Sequence, residues 1–162
     1  MDFYKFRKLI DSKMDEAIIA GERLFVFFTG GECTIHPDFM KMVDYLYEKK
    51  LLFEISTNAR KLAEMDFIKL LQQKGLQTVY TSVHGKDDEK HDMITNKWGS
   101  FKEAMPGIRN YIFLNIPVTT NTVLCSLNYG QALDIAVMLE GLGVKSIRYS
   151  FIKYYEFIPQ FP

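Results

Sequence analysis

Five short runs rich in β-branched and aromatic residues, Leu24–Phe28, Leu52–Ser56, Thr78–Val83, Ile116–Val123 and Ser146–Ile152, begin 28, 26, 38 and 30 residues apart. A strand, a crossover helix and two loops take about 30 residues, so this spacing predicts successive βα units and a parallel sheet. The intervening segments carry the helical period. Phe3, Phe6, Ile10, Met14, Ala17 and Ile18 make one stripe, and Phe39, Met42, Val43, Leu46 and Tyr47 a second. Phe67, Leu70 and Leu71 mark a third, and Ile135, Ala136, Leu139 and Leu142 a last, which stops at Gly143. Lys86–Lys90 reads as a charged loop, followed by a helix from about Ser100 to Tyr111 with Ser100 and Glu103 spaced as a capping box. Trp98 is expected in the core at its start. No linker interrupts the series, so residues 1–162 read as one domain. A closed eight-stranded barrel takes about 250 residues, so five strands predict an α/β protein with an open parallel sheet or part of a barrel. The chain opens on a helix where a βα series would place a strand.

Composition excludes several classes. Lys and Arg total 20 and Asp and Glu total 20, without the basic excess of a nucleic-acid footprint. No apolar run reaches the roughly 20 residues of a membrane-spanning helix, and the N-terminal segment is amphipathic instead of signal-like, so a cytoplasmic protein without membrane or nucleic-acid partners is expected. The two cysteines, Cys33 and Cys125, form no C-x-x-C pair. Neither a disulfide framework nor a local thiolate metal site can be read, and no metal ligands are assigned.

The strand ends are polar: Thr29-Gly30-Gly31-Glu32, Ser56-Thr57-Asn58, Ser82-Val83-His84-Gly85, and Thr119-Thr120-Asn121-Thr122 within the fourth run. These are C-terminal ends, the ligand edge of parallel α/β sheets. Two glycines after a buried strand allow close backbone approach or positive φ. The string has neither the Lys-Ser/Thr of a P-loop nor the G-x-G-x-x-G of a dinucleotide turn. Pro37 can open the next helix, with Asp38 at its positive end. Cys33 with His36 is too few ligands for a metal. His84 and His91, beside Asp87, Asp88, Glu89 and Asp92, fit a solvated loop better than an acid-base pair.

Together, FTGGECTIHPDF, ISTNA, TSVHGKDDEKHDMITNKWGSF and IPVTTNTVLCSLNYGQALDIAVMLEGLGVKSIRYSF resemble the core domain of the radical SAM superfamily. The matching family strings run G-G-E-P-T-x-H-P-D-F, T-N-G, S-x-H-G, H-D-x-x-T-x-x-x-G-S-F and N-T-V-x-x-x-N. The resemblance covers about Leu24 to Phe151. It implies a partial (β/α)6 TIM-like barrel, S-adenosylmethionine along its C-terminal edge, and a 4Fe-4S cluster that cleaves this cofactor reductively to a hydrogen-abstracting 5'-deoxyadenosyl radical. By that resemblance Gly30, Gly31 and Glu32 present backbone carbonyls to the cofactor's amino group. Ser56, Thr57 and Asn58 lie near its methionyl portion and ribose, Ser82 and His84 make ribose or substrate contacts, Asn121 contacts ribose or carboxylate, and Ser150–Ile152 pack on adenine.

The family holds its cluster with C-x3-C-x2-C after a first strand, and neither that motif nor a third cysteine is present. The expectation is therefore a radical SAM core lacking its first strand and cluster loop, inactive alone. A fragment or truncated product is favoured over decay of the site. The alternative is a cluster-less, non-catalytic module that keeps the fold, with a missing segment or partner chain covering the sheet edge. An acid-base hydrolase using Glu32, His84 or His91 lacks a nucleophile elbow. Cys33 stands where relatives carry Pro, as a small apolar substitute. The tail residues Tyr154, Tyr155, Phe157, Ile158 and Phe161 are expected to pack or to continue into a further region.

Overall fold

The computed structural model describes residues 1–151; Ile152 and the apolar tail lie outside the described residues. Helix α1 (Phe3–Ala20) comes first, then strand β1 (Val26–Phe28), helix α2 (Phe39–Glu48), β2 (Phe53–Thr57), α3 (Met65–Gln73) and β3 (Leu76–Ser82). Two helices follow, α4 (Asp88–Thr95) and α5 (Ser100–Phe113), before β4 (Val118–Leu124), α6 (Ala132–Leu142) and β5 (Ser146–Phe151). All five strands join one parallel sheet in the order β1-β2-β3-β4-β5. An order that never reverses, with each crossover returning to the neighbouring position, is that of a barrel wall.

The side-chain period of two divides the sheet into two faces. Phe53, Ile55, Leu76 and Val79 are buried against the helices, together with Phe39, Leu46, Ile68, Leu71, Ile108, Ile135 and Leu139. Phe28 is the hub of the β1 end: its ring stacks on Phe6 of α1 at 5.7 Å and meets Phe39 and Phe53 edge-on at 5.3 and 5.7 Å. Such contacts add about 0.5–1.5 kcal/mol each beyond their buried area. The opposite face is curled. Tyr80 of β3 touches Phe27 of β1 (ring centroids 5.2 Å apart) and also lies under the Arg148 guanidinium of β5 at 5.8 Å. Side chains from the first and last strands thus reach one ring in the middle, which makes this face concave.

Several local expectations change. Lys86–Lys90 runs into the helix α4, capped by Asp87, whose side chain accepts from the Lys90 N–H at 3.0 Å. Ser100 and Glu103 make no capping box. Gly99 holds the cap position at φ +85, and Asp92 of α4 reaches over to cap α5, accepting from Gly99 N–H, Phe101 N–H and Ser100 Oγ. Glu103 pairs with Arg60 instead. Trp98 precedes α5, falls outside its apolar stripe and is 72% exposed. Pro37 lies before the α2 cap, Asp38, which accepts from Phe3 N–H at 3.2 Å and ties α1 to α2. In α3 the buried pair is Ile68 and Leu71, while Leu70 faces outward; Ile18 and Tyr47 are likewise exposed. Gly107 sits where α5 crosses the turn after β2: a Cβ there would fall 2.0 Å from the Ala59 carbonyl oxygen. Among the described residues no helix is long and apolar enough to cross a membrane.

Candidate functional site

The turn after β1 forms a lip on the C-terminal edge of the sheet. Gly30 has φ +132, a conformation open to glycine, and a Cβ on Gly30 or Gly31 would meet nothing within 4 Å. Among the described residues no backbone donor bonds the carbonyl of either glycine. Glu32 does different work. Its carboxylate accepts from Thr34 N–H (3.1 Å), Thr34 Oγ1 (2.6 Å), Thr57 Oγ1 (2.8 Å) and Asn58 N–H (2.6 Å), which locks the lip to the end of β2. The Glu32 side chain is a clasp, leaving its backbone for any ligand.

The remaining expected residues divide by face. Thr57 is buried on the helix side and belongs to the clasp. Asn58 is exposed at the edge, its N–H held by Glu32. Ser56 alternates to the concave face, as do Ser82 and Asn121, which are register partners. Asn121 Oδ1 accepts from Ser150 Oγ at 2.8 Å. The structure thus brings the glycine lip, Ser56 and Asn58 together on the β1–β2 side, with Ser82, Asn121 and Ser150 toward β5.

His84 and His91 do not form a solvated loop. Their rings stack at 5.8 Å and His91 packs edge-on against Phe101. His91 is 3% exposed and so is Asp92. His84 Nδ1 accepts from Val123 N–H at 3.3 Å, and His91 Nδ1 accepts from His84 N–H at 3.2 Å. Each ring therefore carries its proton on Nε2 and stays neutral. Burial lowers the pKa of both; His91 falls to about 4, with the neighbouring His84 adding to the effect and Asp92 opposing it. Asn128 completes the joint by donating to the carbonyls of His84 and Val123 at 2.8 and 2.9 Å. This cluster fastens the end of β3 to β4 and to α4, and the Nδ1 atom of each ring is committed to a backbone donor. From sequence, Asp92 was read only as part of a charged, solvated loop and Asn128 was not singled out; no local pattern marks either as a buried joint.

Cys33 lies in the turn after the lip, its thiol directed at the Ser56 carbonyl at 3.5 Å. Burial, with the Glu32 charge, pushes it up to about 12, so the sulfur is an uncharged packing group. Cys125 is the second free thiol. Among the described residues no three His, Cys, Asp or Glu side chains gather to hold a metal ion.

A family model described as the radical SAM superfamily matches residues 6–138. The chain belongs to the radical SAM superfamily. It is 25% identical over 150 residues to the antilisterial bacteriocin subtilosin biosynthesis protein AlbA of Bacillus subtilis (strain 168), an alignment covering 91% of this chain and 32% of AlbA. It is 33% identical over 155 residues to the molybdenum cofactor biosynthesis protein 1 of Homo sapiens, covering 89% of this chain and 23% of that protein. The radical SAM stretch seen here thus spans a third or less of these curated relatives. Among solved structures, Streptococcus suis SuiB bound to precursor peptide SuiA superposes with TM-score 0.68 at 16% identity, over 87% of this chain and 31% of SuiB. Hexahistidine-tagged anSMEcpe with bound AdoMet gives 0.67 at 17%, over 85% and 40%. These likenesses show the fold.

Radical SAM proteins use S-adenosylmethionine and a 4Fe-4S cluster, and the residues here suit the two unequally. Open glycine carbonyls beside an unfilled Cβ position fit the ammonium end of the cofactor. The cluster does not fit: it needs three thiolates, and these 162 residues hold two cysteines, one of them protonated and packed.

Proposed function

We propose that this chain supplies the S-adenosylmethionine-binding edge of a radical SAM enzyme, and that the thiolates for the cluster come from outside these 162 residues. The observation that carries this reading is the glycine lip, ordered by the Glu32 clasp yet with two carbonyls left open on the ligand edge. Gly30 and Gly31 accept from the cofactor's ammonium, and Ser56 and Asn58 line the adjoining stretch of edge. The cofactor, when bound, supplies the family's radical chemistry; this chain's part is to bind and orient it. SuiB carries a precursor peptide, and the curated relatives are named for subtilosin and molybdenum cofactor biosynthesis. Names so different in chemistry support no single substrate. Isothermal titration with S-adenosylhomocysteine tests the reading. Gly31→Val, which fills open space without a backbone clash, is expected to weaken binding at least about tenfold. A folded wild-type chain that takes up no ligand, or an unaffected Gly31→Val, would sink it.

One observation favours a second reading, a module completed by another segment or chain. β1 has three residues and among the described residues pairs only with β2, and beside it α1 walls a groove of about 340 Å³ lined by Phe6, Leu9, Ile10, Val26, Phe27 and Met42. Fusing a strand with C-x3-C-x2-C ahead of Met1 separates the two. A brown protein after anaerobic iron and sulfide loading supports the enzyme; a colourless, folded product supports the module.

A further inference from the structure

The helix side of the sheet buries more hydroxyl groups than a parallel sheet ordinarily does. Strands covered on both faces read as near-continuous runs of Val, Ile and Leu. Here Thr57 of β2, Thr81 of β3 and Thr120 of β4 are register partners on one rung, and Thr122 follows two residues on. All four are buried, so each hydroxyl needs a partner inside the protein. Thr57 Oγ1 donates to the Glu32 carboxylate at 2.8 Å, and Thr122 Oγ1 to the Val83 carbonyl at 2.5 Å. Thr81 Oγ1 and Thr120 Oγ1 have no partner among the described residues.

A third hydroxyl joins these two. Tyr111 lies on α5, the crossover helix from β3 to β4, one turn past Gly107, and its hydroxyl reaches toward Thr81. No hydrogen bond closes there, so the Tyr111 hydroxyl is likewise unpartnered among the described residues. Thr81, Thr120 and Tyr111 are 3%, 0% and 0% exposed, which keeps bulk solvent from serving them. The spacing of the sheet explains why the threonines do not satisfy one another. Adjacent strands lie about 4.8 Å apart, and equivalent atoms of register partners keep roughly that separation, beyond the 2.7–2.8 Å or so of an O–H···O bond. Two such bonds meeting at a tetrahedral oxygen span about 4.5 Å. The Thr81–Thr120 rung therefore has the spacing of a one-water bridge, and Tyr111 adds a third contact, the usual number for a buried water.

We infer that Thr81, Thr120 and Tyr111 form a binding site for one buried water molecule, which joins β3, β4 and α5. The water accepts from two of the hydroxyls and donates to the third. The site shares its rung with Thr57 of the clasp but lies behind the sheet, apart from the concave face and its ligand edge. Oxygen-17 magnetic relaxation dispersion on the whole chain tests the inference, because it counts long-lived internal water oxygens and is blind to the exchange of hydroxyl protons. Thr81→Val combined with Thr120→Val keeps the side-chain shape and should lower the dispersion amplitude by about one water relative to the wild type. Equal amplitudes in the two proteins, or a wild type without dispersion, would overturn the inference. Thermal unfolding supplies a second readout. Tyr111→Phe takes one partner from a bridging water and should lower the midpoint by about 2–4 °C. A hydroxyl buried with no partner would burden the fold, so a rise in the midpoint on its removal would also overturn the inference. Should the double threonine variant fail to fold, the wild-type dispersion and its loss or persistence in Tyr111→Phe still decide: a lower midpoint with an unchanged amplitude would assign the three hydroxyls to one another, without water.

Discussion

Acidifying the protein from pH 7 to pH 5 should destabilise it through His91. In the fold this ring is buried, accepts the His84 N–H and has its pKa lowered from 6.5 to about 4. In the unfolded chain the imidazole takes up a proton below about 6.5. Between those values the unfolded state binds more protons than the folded one, so stability falls as pH falls. The loss begins near pH 6.5 and levels off near pH 4. At 1.36 kcal/mol per unit it reaches at most about 3 kcal/mol, of which about 2 kcal/mol develops between pH 7 and pH 5. Urea denaturation reads this directly: with a slope of about 2 kcal/mol/M, the wild-type midpoint should drop by roughly 1 M over that range. His91→Gln keeps an acceptor for the His84 N–H and cannot titrate. Its midpoint should fall much less, the remainder belonging to His84, which burial shifts in the same direction. Equal falls in the two proteins would refute the reasoning.

Cys33, held up to about 12, has roughly a thousandth of the thiolate of an ordinary thiol at pH 8. Alkylation followed by mass spectrometry should leave it unmodified in the folded chain and label it promptly in urea. Gly107→Ala drives a methyl into the Ala59 carbonyl oxygen. It should cost about 3 kcal/mol, seen as a fall of roughly 6–12 °C in the thermal midpoint; an unchanged midpoint would contradict the close crossing of α5 over that turn.

The parallel sheet was legible because crossover spacing is a global constraint: no shift of a strand end by two residues alters it. The start of β1 moved from Leu24 to Val26, where pairing with β2 begins at the Leu52 carbonyl. Helix α4 was hidden because its text is almost all polar, so its stability comes from the Asp87 cap and from packing on Gly85, where a Cβ would lie 2.5 Å from the His91 nitrogen. Asp92 capping a helix eight residues away, and the histidines turned to backbone donors, are contacts between elements that no local period records. At the lip, the positive φ of Gly30 was readable from the backbone freedom that glycine alone provides. That the side chains of Glu32, Thr57 and His84 hold backbone groups or one another was not readable, because polar residues at a strand end look alike whether they face a ligand or the backbone. The concavity that lets Arg148 reach Tyr80 is a property of the whole sheet, and nothing around residue 148 announces it.

The Glu32 clasp also shapes the thermodynamics of anything that docks on the lip. A glycine pair on a free loop would have to surrender its conformational freedom on binding, at about 1–2 kcal/mol per residue. Here four hydrogen bonds accepted by one carboxylate have already fixed the neighbouring backbone during folding. Association should then show little ordering entropy from the protein side, and loosening the clasp with Glu32→Gln should appear chiefly in the entropy of binding, with its enthalpy largely kept.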